Sequence, residues 1–492
     1  MKKSRLVVVM ALLFGAVVFN SCSKDTETPD APAIAVPSGT VDVEAEGSVD
    51  VTFSVTIPGG YSTSSVTAQG GTATISSTPA SGALSGDIVV AFTAGTTGGA
   101  ASVVLTVGDA NLKSDIATAV LEVAEEVKVI NVSSNITENT TWETGKTYIL
   151  KSRIAVEAGA TLTIEPGVVV KGEAGTGANA TALLIARDAK IMAEGTETSP
   201  IIFTSVADNI EPGEVKSPNL DPTLNGLWGG VIVLGNAKIS AKGNVESFQI
   251  EGIPSSDQNG LYGGSDDADN SGVIKYVSIR HGGANIGEGN EINGLTLGGV
   301  GSGTVIENVE IVSNQDDGIE WFGGTVSVKN AIVWNTGDDA VDTDQSWAGT
   351  IDNVVVINPG DECFELDGPE GSYQSAGHTI KNATVFVKDA SGLIDFDDNT
   401  DVKMMNIYFT GLTYSDDNKQ DVEGYAGYAA NTNGFASSSF EVTLPDGVAV
   451  SDVFVGGADA ITTSVVAGAA TVGADLTKFA NWSWAAVAGE LQ

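Results

Sequence analysis

The chain is poor in cysteine, histidine and basic residues. It has 2 cysteines, 2 histidines and 23 Lys and Arg residues, against 63 Asp and Glu. This scarcity excludes a disulfide framework and disfavours zinc or copper sites, which use thiolate and imidazole ligands. The net charge of −40 repels nucleic acid and attracts cations. A hydrophobic fraction of 42% argues against a disordered acidic chain.

The N-terminal residues have the pattern of a bacterial export signal. A basic segment precedes an apolar run over residues 6–19, which is too short to span a bilayer stably. Cys22 follows at the expected cleavage point, where bacterial lipoproteins carry their lipid. We therefore predict a signal peptide at 1–21, lipidation of Cys22 and a polar tether at 22–32. Ordinary signal cleavage, with Cys22 as a bystander, is the alternative.

Residues 33–125 alternate between apolar and polar side chains. Val51, Phe53, Val55 and Ile57 are apolar at every second position, and Gly, Ser and Pro separate such runs. Strands of period two joined by turns predict a small immunoglobulin-like β-sandwich. No catalytic or metal-ligand pattern occurs in it, so we interpret it as a spacer.

From residue 128 onwards an internal repeat replaces this pattern. Short β-branched segments each contain one asparagine, at positions 308, 330, 353, 382 and 406. The asparagines are 22, 23, 29 and 24 residues apart, and the apolar residues show no helical period. One coil of a β-solenoid per repeat fits this spacing, with the asparagines stacked and hydrogen-bonded along the axis. We predict the solenoid over 128–412.

The final stretch, 413–492, loses the repeat. It contains Phe479, Trp482 and Trp484. We predict that this stretch caps the solenoid and that the three aromatic residues cover its last coil, because an open end exposes core and strand edges. A sugar-stacking site made of these rings is the alternative.

Several segments of the repeat region resemble those of a known family. They are Leu-Thr-Ile-Glu-Pro-Gly at 162–167, Ile-Met-Ala-Glu-Gly-Thr at 191–196, Trp-Gly-Gly-Val-Ile at 228–232 and Asn-Gly-Leu-Thr-Leu-Gly-Gly at 293–299. They are similar to the pectin-lyase-like right-handed parallel β-helices, and more narrowly to β-helical surface lipoproteins of the Bacteroidetes. The resemblance implies a right-handed parallel β-helix after the sandwich. With the lipid anchor it implies an outer-membrane protein facing the cell exterior.

A second strand in each repeat carries alternating carboxylates. If its apolar residues face inward, two outward acidic columns form: Glu320, Asp342, Glu365 and Asp395 in the first, and Asp344, Asp367 and Asp397 in the second. Ionised carboxylates one rung apart repel by roughly 3–4 kcal/mol at an effective dielectric constant near 20. The columns therefore either bind cations or retain protons. Calcium, which prefers carboxylate oxygens, is the expected ion. A solvated acidic face is the alternative.

A glycine-flanked loop at 263–272 is a second calcium candidate. Asp266, Asp267, Asp269 and Asn270 place oxygen ligands close together in sequence, without the helices or terminal glutamate of an EF-hand.

The same residues allow an enzyme hypothesis. The Asp-Asp pair at Asp338 and Asp339 and the triplet 342–344 resemble elements of polygalacturonases, so Asp338, Asp339, Asp342 and Glu365 are the catalytic candidates if the protein is an enzyme. The family's Gly-His-Gly and Arg-x-Lys elements are missing. The sequence therefore favours a binding protein, with a polysaccharide, another cell surface or an outer-membrane protein complex as partner. A polysaccharide lyase or glycoside hydrolase is the alternative.

Overall fold

The computed structural model describes residues 28–125, 128–285, 292–388, 392–415, 420–432 and 440–491. The predicted signal peptide and Cys22 lie outside this described part. The described residues form two compact units, which meet between residues 125 and 128 in sequence. In the described residues no helix is long and apolar enough to cross a membrane.

The first unit is the predicted β-sandwich. Its strands are β1 (Ala33–Ala35), β2 (Val41–Val43), β3 (Ser48–Thr56), β4 (Tyr61–Gln69), β5 (Gly71–Ser77), β6 (Ser85–Ala94), β7 (Gly99–Asp109) and β8 (Ser114–Val123). They form two sheets, β1-β3-β6-β5 and β2-β8-β7-β4. The alternating apolar residues, among them Phe53, Phe92 and Leu105, are fully buried between the sheets. Period-two patterning therefore forms the core here, as predicted.

The second unit is a right-handed parallel β-helix. Its first strands are β9 (Val129–Val132), β10 (Thr140–Trp142), β11 (Thr147–Leu150), β12 (Ile154–Val156), β13 (Thr161–Ile164), β14 (Val169–Gly172), β15 (Leu183–Ile185), β16 (Lys190–Glu194), β17 (Ile201–Ser205), β18 (Val231–Leu234), β19 (Phe248–Gln249) and β20 (Leu261–Tyr262). The later ones are β21 (Gly272–Arg280), β22 (Leu295–Gly298), β23 (Val305–Val312), β24 (Ile319–Phe322), β25 (Val328–Trp334), β26 (Val341–Asp344), β27 (Thr350–Ile357), β28 (Glu365–Leu366), β29 (His378–Phe386), β30 (Asp395–Phe396), β31 (Val402–Thr410), β32 (Phe440–Val442) and β33 (Thr462–Ser464).

In the part of the chain that the structure describes, helices are few and short. The α-helices are α1 (Tyr425–Thr432), α2 (Val450–Val453) and α3 (Trp484–Ala488), and the 3-10 helices are Gly177–Asn179, Gln258–Gly260, Ala458–Ile461 and Leu476–Phe479.

Two long parallel sheets enclose the β-helix core. The eight-stranded sheet has the order β12-β15-β18-β22-β24-β26-β28-β30, and the fifteen-stranded sheet contains the repeat strands β21, β23, β25, β27, β29 and β31. Inward side chains of both sheets, such as Ile319, Val341 and Phe364, are fully buried. β32 and β33 extend the fifteen-stranded sheet in parallel, so strand pairing continues beyond residue 412.

The repeated asparagines form the predicted ladder. Asn308, Asn330, Asn353, Asn382 and Asn406 all have a left-handed backbone, with φ between 56° and 70°. Asparagine tolerates this conformation better than most residues, so it bends the strand there. The Asn330 amide donates to Asn308 Oδ1 at 2.9 Å, and the Asn353 amide donates to Asn330 Oδ1 at 2.8 Å. The ladder is interrupted at Asn382, whose amide donates to Asp352 Oδ1 at 2.7 Å.

Replacing Asn330 with alanine is expected to lower the free energy of unfolding by about 2–4 kcal/mol. Alanine in a left-handed conformation costs about 1–2 kcal/mol, and two buried hydrogen bonds are lost. Urea denaturation measures the change. Asn330→Gly, which accepts the backbone conformation, separates the two contributions. Asn406→Ala, at the exposed end of the ladder, should cost less; equal losses at both positions would contradict a stacked ladder.

The predicted position of the C-terminal aromatic residues is wrong. Phe479, Trp482 and Trp484 do not cover the last coil. They pack on the outer face of the fifteen-stranded sheet, against apolar side chains that include Ile332 and Val355. These outward residues need a cover, and the C-terminal segment supplies it. Among the described residues, the core near the last coils is instead completed by aromatic side chains: Tyr425, Tyr428, Phe440 and Phe454.

Candidate functional site

The eight-stranded sheet aligns the predicted acidic columns. Its register pairs Glu320 with Asp342, Asp342 with Glu365 and Glu365 with Asp395. Asp344 pairs with Phe322 in the second column. Asp367 and Asp397 continue this column, since each directly follows one of the next two strands. Their N–H groups donate to the carbonyl oxygens of Thr343 and Leu366, respectively. The proposed register of the carboxylates is therefore confirmed.

A column on the fifteen-stranded sheet shows how this protein otherwise spaces its charges. Paired residues there alternate strictly in sign: Glu194, Lys275, Glu307, Lys329, Asp352 and Lys381. Their ion pairs include Lys275–Glu307 at 3.5 Å and Lys381–Asp352 at 3.1 Å. In the described part of the chain, no salt bridge involves a carboxylate of the two acidic columns. Among the described residues, the carboxylates of the acidic columns thus lack the positively charged partners that acidic residues have on the fifteen-stranded sheet.

One end of the first column is buried rather than solvated. Glu320 is 6% and Asp342 is 9% exposed, whereas Glu365 and Asp395 are partly exposed. Residues of the long excursion between β18 and β21, including Tyr262, pack with Phe322 over the outer face of this sheet. The alternative of a solvated acidic face is therefore wrong at this end, where Glu320 and Asp342 are buried.

A second file of side chains runs along the turn that precedes these strands. Asn293 Oδ1 accepts the Asp317 N–H at 3.3 Å, and Asp317 Oδ1 accepts the Asp339 N–H at 3.0 Å. Asp339 Oδ1 accepts the Glu362 N–H at 2.7 Å. Each side chain thereby ties its coil to the next one. In the sequence, the repeated second residue of the Asp-Asp turn indicated this file. No sequence pattern indicated the role of Asn293.

This file meets the first column in a cluster of three carboxylates. One oxygen from each of Asp317, Glu320 and Asp342 lies within 4.8 Å of the others. Asn293 bridges the cluster, since its amide donates to Glu320. Asp342 Oδ1 is buried and accepts no hydrogen bond from the described residues. A second group of this kind, Asp316, Asp317 and Asp338, adjoins it. Asp317 belongs to both groups and was absent from the ligands predicted from sequence.

Burial and mutual repulsion raise the pKa values of these groups. Burial is the main cause for Asp317, Glu320 and Asp342, and the negative charge of a neighbouring carboxylate adds to it in each case. Burial and a hydrogen bond with Glu365 raise the pKa of Asp339 to about 12. Burial likewise raises the pKa of Asp344 to about 7. Without a cation, the site must retain protons at neutral pH.

Comparison with known proteins agrees with this architecture. A family model described as a pectate-lyase-like β-helix domain matches residues 134–485. The chain belongs to this family. Among solved structures it is similar to the family 28 exopolygalacturonase of Yersinia enterocolitica, with 10% identity, coverage of 89% of this chain and 91% of that chain, and a TM-score of 0.22. No curated protein matches the chain.

The four catalytic candidates from the sequence lie close together. Asp339 and Asp342 lie in the buried region, and Glu365 is hydrogen-bonded to Asp339. Asp338 lies in the turn, next to Asp316 and Asp317. The structure therefore brings all four candidates into one area of the eight-stranded sheet and its preceding turn.

Arg280 and His281 lie away from this area, and His378 lies beneath it. Arg280 and His281 are fully buried on the fifteen-stranded sheet. His378 Nε2 is 3.3 Å from Thr343 Oγ1, and burial lowers the pKa of His378 to about 3. His378 is thus a neutral structural residue under the acidic columns.

The loop at 263–272 is engaged in other contacts. Lys238 Nζ lies 3.0 Å from Asp267 Oδ2, so this carboxylate is already paired with a positive charge. Asp269 accepts the Asn236 amide, and Asn270 Oδ1 accepts the N–H of Gly272. Among the described residues, the three-carboxylate groups occur at the acidic turn and column, and this loop does not form one.

In chelator, the protein is expected to lose stability as pH rises from 4 to 7. Burial is the main cause that raises the pKa of Asp344, Glu362 and Asp367 to about 7. The folded protein therefore binds more protons than the unfolded chain between pH 4 and 7, so the free energy of unfolding falls with pH. We expect a decrease of about 2–4 kcal/mol, allowing for solvent screening of the half-exposed groups. Urea midpoints across this range measure it, and a rise with pH would contradict the assigned shifts.

Proposed function

We propose that this protein is a lipid-anchored surface protein whose β-helix binds a glycan, another cell surface or an outer-membrane complex through calcium on its acidic columns. One observation carries the proposal. Three buried carboxylates, Asp317, Glu320 and Asp342, converge within 4.8 Å, and an oxygen of Asp342 has no hydrogen-bond donor among the described residues. A buried, unpaired carboxylate is costly unless a cation or a proton neutralises it.

The ligand chemistry favours calcium over other metals. The cluster offers carboxylate oxygens, and the Asn293 side chain lies beside them. Calcium accepts six to eight oxygen ligands in flexible geometry, while magnesium retains most of its water. At the partly exposed end of the column, Glu365 and Asp395 could hold a further calcium ion whose remaining ligand positions would be filled by water or by sugar hydroxyl groups. Calcium would thereby join the acidic face to a glycan that this face does not attract by itself.

Calcium titration is the test. Calorimetry on the mature protein should show saturable binding, and the melting temperature should be higher with calcium than with chelator. Glycan arrays in calcium should then identify the ligand class. No heat and no shift in melting temperature would overturn the calcium site and leave the columns as solubilising charge.

Hydrolysis of a polysaccharide is the second candidate. The pKa of Asp344, raised by burial to about 7, suits a general acid at neutral pH. Glu365, one of the catalytic candidates from the sequence, is partly exposed and close enough to Asp344 to contribute to its raised pKa, so it is the candidate general base of an inverting pair. Release of reducing ends from polysaccharides, lost in Asp344→Asn, would support this function. Stable binding without turnover would favour the first.

The lipid anchor has a separate test. Cys22→Ala should release the protein from membranes into the soluble fraction, because several acyl chains hold a lipoprotein far more firmly than its protein surface does. Fractionation followed by detergent extraction measures this. Cys363→Ala, which removes the buried second cysteine, is the matched control and should remain in the membrane fraction. Membrane association of Cys22→Ala would refute lipidation.

A further inference from the structure

A pocket of about 260 Å³ lies beside the acidic columns, between the excursion that follows β18 and the loop after β28. Its walls come from two separate segments of the chain, residues 238–246 and 372–373, together with Gly264 and Ser265. The polar side chains that line it include Lys238, Ser240, Asn244, Glu246, Ser372 and Tyr373.

Hydrogen bonds hold the two walls together. The Gly371 N–H donates to the Ser240 carbonyl at 2.8 Å, and the Ser372 N–H donates to Asn244 Oδ1 at 2.6 Å. The Ser240 N–H in turn donates to the Gln345 carbonyl at 3.0 Å. The pocket is therefore preformed, which lowers the entropic cost of binding.

One lining group points to a polar ligand. Ser240 is 2% exposed, and its hydroxyl has no hydrogen-bond partner among the described residues. Burying a hydroxyl without a partner costs free energy, which a ligand hydroxyl would recover. On another wall the Tyr373 ring is 36% exposed, with Lys238 Nζ 5.8 Å from its centre.

We propose that this pocket binds a neutral sugar ring, stacked on Tyr373 and hydrogen-bonded to the Ser240 hydroxyl. The inference rests on the proposed glycan-binding function and names the chemical class of the glycan. A sugar ring combines an apolar C–H face with several hydroxyl groups, matching one aromatic face among hydroxyl, amide and carboxylate groups. An anionic sugar would meet Glu246 and a chain of net charge −40.

Gln345 connects the pocket to the acidic columns. Its N–H donates to Asp344 Oδ1 at 2.8 Å, and its carbonyl accepts the Ser240 N–H at 3.0 Å. Its side-chain amide donates to Glu370 Oε2 at 2.9 Å. Gln345 thus contacts both Asp344 and the pocket wall. A glycan of a few sugar units can occupy the pocket and reach the carboxylate face at the same time.

Binding of neutral oligosaccharides to the mature protein tests the inference. Cello-, xylo- and manno-oligosaccharides are the neutral probes, and oligogalacturonates and a Lys-rich peptide are the charged ones, each titrated by calorimetry with calcium and with chelator. At least one neutral probe should bind, and Tyr373→Ala should weaken it at least tenfold. Ser240→Ala should weaken it several-fold. Phe248→Ala, on the same excursion and 39% exposed but not lining the pocket, is the matched control and should bind normally.

The outcomes separate this inference from the calcium proposal. Neutral-sugar binding that survives chelator and fails in Tyr373→Ala supports the pocket even if calcium does not bind. Calcium binding with no neutral sugar bound, or with binding unchanged in Tyr373→Ala and Ser240→Ala, overturns the pocket and leaves the calcium site standing. Preference for oligogalacturonate or for the basic peptide overturns the assigned ligand class.

Discussion

Replacing Glu310 with glutamine is expected to lower the free energy of unfolding by about 3–5 kcal/mol, because it leaves the Arg280 charge buried without its counter-charge. Both side chains are fully buried, with Arg280 Nη2 3.7 Å from Glu310 Oε2. Burial lowers the pKa of Arg280, and the negative charge of Glu310 opposes that shift. Breaking such a pair is costly even where the intact pair contributes little net stability.

Glu310 also holds the C-terminal segment on the β-helix. Its carboxylate accepts the N–H of Trp484 at 3.0 Å and that of Ala485 at 2.9 Å, and it accepts the Ser278 hydroxyl at 2.6 Å. The Trp484 ring lies 4.9 Å from the Arg280 guanidinium carbon. Weakening this anchor should therefore make the C-terminal segment more accessible to proteases as well as lowering the urea midpoint.

Glu307→Gln is the matched control for this prediction. Glu307 lies on the same strand and pairs with Lys275 at 3.5 Å, but this pair is partly exposed to solvent. Exposed pairs contribute about 0–1 kcal/mol, so the control should change stability little. If urea denaturation showed equal losses of stability for the two substitutions, burial would not explain the contribution of the Arg280–Glu310 pair.

The second large effect is expected at Asp342. Asp342→Asn should weaken calcium binding at least tenfold, since losing one charged oxygen ligand removes more than about 1.4 kcal/mol of binding free energy. In chelator at pH 8 the same substitution should raise the free energy of unfolding by about 1–3 kcal/mol, because it removes a buried carboxylate that has no cation partner. The melting temperature should then no longer respond to calcium.

The prediction is specific because Asp342→Asn should weaken calcium binding but raise the free energy of unfolding in chelator. A residue needed only for folding would lower stability in chelator and in calcium alike. Asp352→Asn, on the column of alternating charges where Lys381 lies 3.1 Å away, is the control and should leave calcium binding unchanged. Unaltered calcium affinity in Asp342→Asn would remove the three-carboxylate cluster as the binding site, whatever else binds calcium.

Local patterns in the sequence were sufficient for much of this architecture. Alternation with period two placed Glu320, Asp342, Glu365 and Asp395 on one outward column, and the strand register bears this out. The spacing of the asparagines likewise predicted their ladder, because stacked coils bring equivalent positions together along the axis. Both inferences depend only on residues close together in one repeat and on the stacking of repeats.

The tertiary structure alone decided which parts of that surface are covered. The excursion after β18 comes close to Glu320 and forms one wall of the pocket, and the C-terminal segment packs Trp484 over Arg280 and Glu310. A repeat pattern states which side chains point outward. It does not state where a distant, non-repeating segment will lie, because that depends on contacts between residues as far apart in sequence as Glu310 and Ala485. The identities of the acidic residues thus follow from the sequence, whereas their burial, and with it their shifted pKa values and unpaired oxygen, follows from the fold.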